Sequence, residues 1–299
     1  MPFSEILDGV AYAVVGGLIY GLYFSLIGLG LNLIFGVMRI VNLAHGDFLM
    51  LGAFAAYFAF QLAGISPLVA VVFVFVLFAL LTFPLYYLLV PRLLTARDPE
   101  MLSIILFFGF SQVVEALATI AFGTSERSIP GRALAVGPMS ILDQSFPKTW
   151  VISAGVSLVA VLGIYLYLYR TRLGYLTRAV MVHREEAVST GIDVHRISAI
   201  AFGIGLGLAA VAGVFAPFML TIVTPAMGVD VTISSFAVIV IGSLGNPLGT
   251  VLGGILYGVS YMFMQTFFSS WANLLPYLVL IAVLLLRPSG LLGRQVRRA

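Results

Sequence analysis

Pro67–Val90 reads PLVAVVFVFVLFALLTFPLYYLLV, twenty-four residues without a single charge. A helix needs about 20 consecutive apolar residues to cross the hydrocarbon of a bilayer, so this run is long enough to span. It is not isolated. Comparable apolar runs lie at Gly9–Val37, Phe48–Ala63, Met101–Phe122, Thr149–Tyr169, Ile197–Ile222, Thr250–Phe268 and Ala272–Leu286, with a shorter one at Thr232–Leu244. Across the 299 residues, 61% are hydrophobic and only 9% charged, against about 25% charged in a soluble domain. A lipid-facing exterior accommodates such a composition, because outside and core can both be apolar. The reading is an all-α, polytopic integral membrane protein: one transmembrane domain over residues 1–299, with eight to nine transmembrane helices and broken or re-entrant segments. Thr232–Leu244 is short enough to be a half-helix.

Sidedness follows from basic residues, which accumulate in cytoplasmic loops. Arg170, Arg172, Arg178, Arg184 and Arg196 fall in one loop, Arg92 and Arg97 in Pro91–Glu100, and Arg287, Arg294, Arg297 and Arg298 at the C-terminus. With Arg39 these make twelve residues on one side. Arg127, Arg132 and Lys148, in the polar stretch Gly123–Lys148, are the three on the other. The Arg-rich side is expected to be cytoplasmic and the N-terminus external. Residues 1–8 carry Glu5 and Asp8 and no Lys or Arg, so they lack the basic start of a cleaved signal peptide and the first span is expected to stay in the membrane.

Several kinds of chemistry are absent from the sequence. There is no cysteine, hence no thiolate ligand or nucleophile. His45, His183 and His195 are scattered and form no metal-ligand spacing. The sole lysine, Lys148, follows Pro147, so no G-x-x-x-x-G-K-[ST] loop can cradle a nucleotide. No G-x-S-x-G or paired catalytic carboxylates occur. The chain reads as a transport component and not as an enzyme, with no metal, no cofactor of its own and no nucleic-acid partner.

Ionisable and amide residues inside spans are costly and mark function by default. The segment Arg39–Asp47 joins the first two spans. Asn32, Asn42, His45 and Asp47 are positioned to hydrogen-bond backbone released by a break at Gly46, with Asp47 as N-cap of the second span. A capped turn and a lining for a translocation pathway are compatible readings. Ser111, Gln112 and Glu115 share a face of the fourth span by helical spacing, either as an interhelical hydrogen bond or along the same pathway. In Gly242-Ser-Leu-Gly-Asn-Pro-Leu-Gly249, Pro247 lacks an N–H and the glycines tolerate unwound backbone, so a break near Ser243 and Asn246 is expected beside protein or water. Other glycines, such as Gly245/Gly249/Gly253 and Gly254/Gly258, have the spacing of close helix packing. Asn42–Gly52 and Gly242–Gly249 are a possible pair of inverted-repeat interruptions.

Residues 170–196 form the most informative loop. Leu176–Thr190 is rich in helix formers, Gly191 suits the left-handed position that ends a helix, and Asp193 can cap the next. A short, charged, cytoplasmic helix is predicted. It is either a solvated connector or a docking element in which Arg184, Glu185 and Glu186 orient a partner and Ala187 and Val188 enter a groove. Without a nucleotide site of its own, active transport would draw its energy from another chain here.

Three stretches carry a resemblance: Gly30-Leu-Asn-Leu-Ile-Phe-Gly-Val-Met-Arg-Ile-Val-Asn-Leu-Ala-His-Gly-Asp-Phe-Leu-Met-Leu-Gly-Ala53; Thr171-Arg-Leu-Gly-Tyr-Leu-Thr-Arg-Ala-Val180 with Arg184–Ala187 and Gly191–Val194; and Ile239–Gly254. With the pattern of spans, the chain resembles the LivH-type permeases of branched-chain amino-acid ABC importers. The resemblance implies a multi-pass protein of the bacterial cell inner membrane that passes amino acids into the cytoplasm. It also implies a LivM-like second permease, two cytoplasmic ATPase subunits holding ATP and Mg, and a periplasmic substrate-binding protein. Residues 170–196 then match the coupling loop, with Arg178, Arg184, Glu185, Glu186, Ala187, Thr190 and Gly191 as coupling residues. The alternative reading is a self-sufficient channel or secondary carrier for a small polar solute such as an amide or urea.

Overall fold

The computed structural model describes residues 3–287 and 289–293; Arg294, Arg297 and Arg298, used above for sidedness, lie outside them. The helices are α1 (Phe3–Met38), α2 (His45–Ala63), α3 (Pro67–Leu94), α4 (Pro99–Phe122), α5 (Lys148–Arg170), α6 (Arg172–Val182), α7 (Arg184–Ser189), α8 (Val194–Met219), α9 (Met227–Gly242), α10 (Pro247–Phe267) and α11 (Leu275–Leu286). Among the described residues, eight helical segments are long and apolar enough to cross a membrane. α9, at 16 residues, falls short, in keeping with the expected half-helix.

Boundaries move where local chemistry was stronger than the apolar pattern. α3 continues through Pro84 and Pro91, so the loop once read as Pro91–Glu100 shrinks to the few residues after Leu94. One lost backbone bond does not end a helix whose neighbours hold it in place. Asp98 then caps α4, accepting from the Met101 N–H at 3.2 Å, with Pro99 at the first helical position. The polar stretch Gly123–Lys148 contains an antiparallel hairpin, β1 (Pro138–Ile141) and β2 (Gln144–Pro147). Its two-residue turn places Leu142 and Asp143 at φ 50° and 60°, the mirror-image turn that matches strand twist. The fully buried Phe146 of β2 stacks on Tyr12 with ring centroids 4.9 Å apart, which lays the hairpin against α1.

α1 and α8 form the centre, and both are buried along most of their length. They run antiparallel: the Tyr20 hydroxyl donates to the Met219 carbonyl (2.7 Å) near one end, and Gly30 meets Gly205 further along. A methyl group at Gly30 or Gly205 would overlap the other's carbonyl oxygen. In lipid, where helices gain little from apolar burial, this closeness of backbones supplies the packing. α10 packs antiparallel on α1 by the same device, with Gly254 against Ser25 and Gly258 against Gly21. α3, α4, α5 and α11 surround this centre and leave wide apolar faces outward.

The helix ends sort by charge. Arg39 and Arg184 reach Met181 and Val37, Tyr86 near the end of α3 meets His195 at 3.3 Å, and the Val41 N–H donates to Ser103 at the start of α4. The Arg-bearing ends of α1, α3 and the α5–α8 connection therefore share one end of the bundle. Arg127, which pairs its backbone with Val223, sits with the hairpin at the other.

Candidate functional site

The first joint lies between α1 and α2. Arg39 ends α1 with φ 56°, a left-handed position more often taken by Gly, and the chain runs non-helically to Ala44. The break is thus at Arg39–Ala44 and not at Gly46, which sits within the first turn of α2. Asp47 is likewise not the N-cap. Ala44 occupies that position without a side-chain cap, and Asn42 Oδ1 accepts from the Ala44 N–H at 3.0 Å. Apolar Ile40, Leu43 and Ala44 carry the chain inward, so α2 starts deep in the bundle. There His45 Nε2 meets the Ile27 carbonyl of α1 at 3.1 Å and the Gly46 N–H donates to Thr232 of α9 at 2.8 Å.

α9 also starts deep, after non-helical Leu220–Ala226, and its Ala226 N-cap position has no side-chain cap. The N-termini of α2 and α9 meet where Gly46 and Gly228 touch; a methyl on Gly46 would overlap the Gly228 carbonyl, and one on Gly228 would overlap the Asp47 carboxyl. The interruption that meets the α1–α2 joint in space is Leu220–Ala226.

Asp47 is 1% exposed, and among the described residues no hydrogen bond of ordinary length reaches its carboxylate oxygens, the Ser111 hydroxyl lying just beyond that reach. Ser111 and Glu115 of α4 are the polar groups facing it from across the joint. The N-terminal dipoles of α2 and α9 favour negative charge there. His45 Nε2 must carry the ring proton, because a carbonyl only accepts; its Nδ1 is then an acceptor, also unpartnered, as is Asn42 Nδ2. The junction thus gathers a carboxyl, an imidazole nitrogen and an amide nitrogen that are buried without ordinary hydrogen-bond partners among the described residues, where each is costly.

The second joint, Ser243–Asn246 between α9 and α10, is the break expected from the sequence. Here the polar groups are paired. The Asn32 side chain donates to Thr250 Oγ1 and accepts from the Gly245 N–H, Asn246 Oδ1 accepts from Gly249 N–H at 3.1 Å, and the Thr250 hydroxyl donates to the Asn246 carbonyl at 3.1 Å. Asn32 therefore belongs to this joint and not to that of Asn42, His45 and Asp47. Ser243 (φ 107°) is buried. A cavity of about 430 Å³ separates this joint from Arg178 and Met181 of α6.

The predicted single helix Leu176–Thr190 is two, α6 and α7, separated by extended His183 (φ −144°). Gly191 has φ 81° and Asp193 caps α8 through the Arg196 N–H at 3.0 Å, both as expected. Arg178 Nε donates to the Leu168 carbonyl at 2.9 Å and its guanidinium lies 4.4 Å over the Tyr169 ring, closing the C-terminus of α5. Arg184 reaches the Val37 carbonyl at the end of α1 at 3.5 Å, and partial burial lowers its pKa. Both cations complement helix C-termini. Ala187 is buried within this chain, so it is not available to a partner's groove. Glu185, Glu186, Val188, Thr190 and Gly191 remain exposed, with Val182 beside them. On α4, Ser111 is buried toward Asp47, Glu115 is half-buried and Gln112 points outward among exposed Phe108 and Val113. The three do not share a face, since Gln112 is rotated about 100° from Ser111.

One feature was missed. Between α1, α9, α10 and α11 lies a cavity of about 490 Å³. Its floor is Phe24, Ile27, Val231 and Tyr257, all buried; Asp230, Asn273 and Tyr277 stand exposed around it. Asp230 was legible as the last acidic residue of the chain, with Ser234 one helical turn on. The packing of α9 against α1, α10 and α11 that brings it to the cavity was not.

Among known proteins, residues 13–284 match the family described as "Branched-chain amino acid transport system / permease component". The chain is 28% identical to the high-affinity branched-chain amino acid transport system permease protein BraD of Pseudomonas aeruginosa, covering 94% of this chain and 95% of that one. It is 29% identical to the probable branched-chain amino acid transport permease protein LivH of Methanocaldococcus jannaschii (93% and 91%). With LivH of Escherichia coli K12 it shares 25% (93% and 94%). No solved structure matches it significantly. A multi-pass helical bundle, broken at two polar joints and matched over more than nine-tenths of its length by these relatives, belongs to the branched-chain amino acid transport permease family.

Proposed function

We propose that this chain is the membrane-spanning permease subunit of an ABC importer that carries branched-chain amino acids into the cytoplasm across the bacterial inner membrane. ATP and Mg are held by two cytoplasmic ATPase subunits, a LivM-like permease completes the membrane part, and a periplasmic binding protein delivers substrate. The chain itself is not an enzyme. Its family membership supports the substrate class, and the Arg-rich end supports the orientation.

The observation that carries the coupling role is the construction of α6–α7. Arg178 and Arg184 brace the segment against the ends of α5 and α1, while Glu185, Glu186 and Val188 are left open on the other side. A push on that exposed face is transmitted to α1 through Arg184. The passage opens where the N-termini of α2 and α9 part, which exposes Asn42, His45 and Asp47; Ser243 and Asn246 form the hinge at the far end of α9.

The test is co-purification with the co-encoded ATPase, followed by reconstitution in liposomes with the binding protein. Uptake of leucine should require ATP, and reversal of Glu185 and Glu186 to Lys should weaken ATPase retention at least tenfold. Flux from this chain alone, set by a gradient and indifferent to ATP, would favour a channel or secondary carrier instead.

A further inference from the structure

We infer that the cavity between α1, α9, α10 and α11 is a binding site for the zwitterionic amino acid in transit, with Asp230 receiving its ammonium group. The inference rests on the transport reading and names a place where the substrate is held. At about 490 Å³ the cavity falls in the range of small-molecule sites, roughly 300–1,000 Å³, and it accommodates an aliphatic amino acid with room for water.

Its chemistry is divided to suit such a molecule. The floor of Phe24, Ile27, Val231 and Tyr257 is apolar and buried. The Tyr257 hydroxyl in the floor is already donated to Ser234 Oγ at 3.2 Å, so the floor itself leaves an apolar surface for a branched aliphatic side chain. Asp230 stands at the exposed edge; among the described residues no Lys or Arg lines the cavity and no cation forms an ion pair with it. The edge therefore carries an uncompensated negative charge, which selects a cationic group. The Asn273 amide and Tyr277 hydroxyl on the same edge are donors for the carboxylate at the other end of the zwitterion. α9 links this cavity to the junction: Met227 and Val231 of its first turns face the cavity, whereas Gly228 and Thr232 face Gly46 and Asp47. A molecule seated in the cavity lies against the helix whose displacement would uncover Asp47.

The experiment measures equilibrium binding of radiolabelled leucine to the purified permease-containing complex without the binding protein, and ATP-driven leucine uptake by the reconstituted importer. Wild type should bind leucine. 4-Methylpentanoate, which has the same carbon skeleton without the ammonium group, should not compete. Asp230→Asn should weaken binding at least tenfold and raise the half-saturation of uptake, with Asp230→Glu restoring most of both. Val231→Trp should remove binding by filling the floor. Retention of the ATPase chains checks that each variant folds. Absence of leucine binding by wild type, or equal competition by 4-methylpentanoate, would overturn the inference without any variant. Unchanged binding in Asp230→Asn would overturn the role of Asp230. A wild-type complex that binds leucine but shows no ATP-driven uptake would leave the site standing and defeat the transport reading.

Discussion

The two joints of the chain are built from similar residues and finish in opposite states. At Ser243–Asn246, the amide of Asn32 reaches across from α1 to hold both Gly245 and Thr250, and Asn246 caps the helix that follows. At Arg39–Asp47, the carboxyl of Asp47, one nitrogen of His45 and the amide nitrogen of Asn42 are equally enclosed and have no partner. A buried polar group without a hydrogen bond costs ~1–3 kcal/mol. The Ser243–Asn246 joint stores none of that cost; the Arg39–Asp47 joint carries it, at the point where α2 and α9 touch. Under the proposed function, the paired joint is the hinge and the unpaired groups are those that gain partners when the passage opens.

The comparison is broken most forcefully at Asp47. Asp47→Asn should lower ATP-driven uptake about 100-fold, the equivalent of ~2.7 kcal/mol, while the melting temperature of the complex stays the same or rises. A variant that melts early yet transports normally per folded complex would erase the distinction. Asn32→Ala should behave in the opposite way. It strands the Gly245 N–H and loosens Thr250, removing about 2–3 kcal/mol of stability; thermal unfolding should register the loss, with uptake per folded complex kept. Gly228→Ala sharpens the same point, because the added methyl must displace Asp47. A penalty of ~1–3 kcal/mol is expected for such overpacking, and partial relief in the double variant with Asp47→Ala would show that the clash is the cause. The smallest effect should come from Arg184→Ala. Its contact with Val37 is long, at 3.5 Å, so stability should fall by about 0.5 kcal/mol or less. Stimulation of ATP hydrolysis by substrate-loaded binding protein should nevertheless drop severalfold, because the brace between α7 and α1 is gone.

Much of this architecture could be read from the residues, and the failures have a common cause. Pro67–Val90 announced a span because twenty-four uncharged residues leave a soluble fold little alternative. Gly191 and Asp193 marked the end of one helix and the start of the next, since φ 81° and an N-terminal carboxylate cap are local demands that a local sequence can meet. The break at Ser243–Asn246 was legible for the same reason. Asp47 reads from the sequence as the cap of α2, yet the chain enters α2 through Asn42 and Ala44 and leaves Asp47 within the first turn. Gln112 was grouped with Ser111 by spacing, but only the position of α2 decides which of them meets the bundle. Ala187 looked like a contact for a partner and is instead covered by its own chain. The cavity beside Asp230 escaped notice because α1, about two hundred residues away in sequence, closes it against α9, α10 and α11, and no short window contains more than one wall.

The absence of cysteine from the chain permits one direct measurement of whether the α2–α9 junction opens. Ser111 is 3% exposed and faces Asp47. A Ser111→Cys variant in the reconstituted importer, otherwise free of reactive thiols, would be exposed to a small charged thiosulfonate at rest and during turnover. The account predicts slow labelling at rest and labelling at least tenfold faster with ATP and leucine-loaded binding protein, whereas an Asn246→Cys variant should label at one rate throughout. Equal protection of the Ser111→Cys thiol in both conditions, in a complex that is transporting leucine, would contradict it.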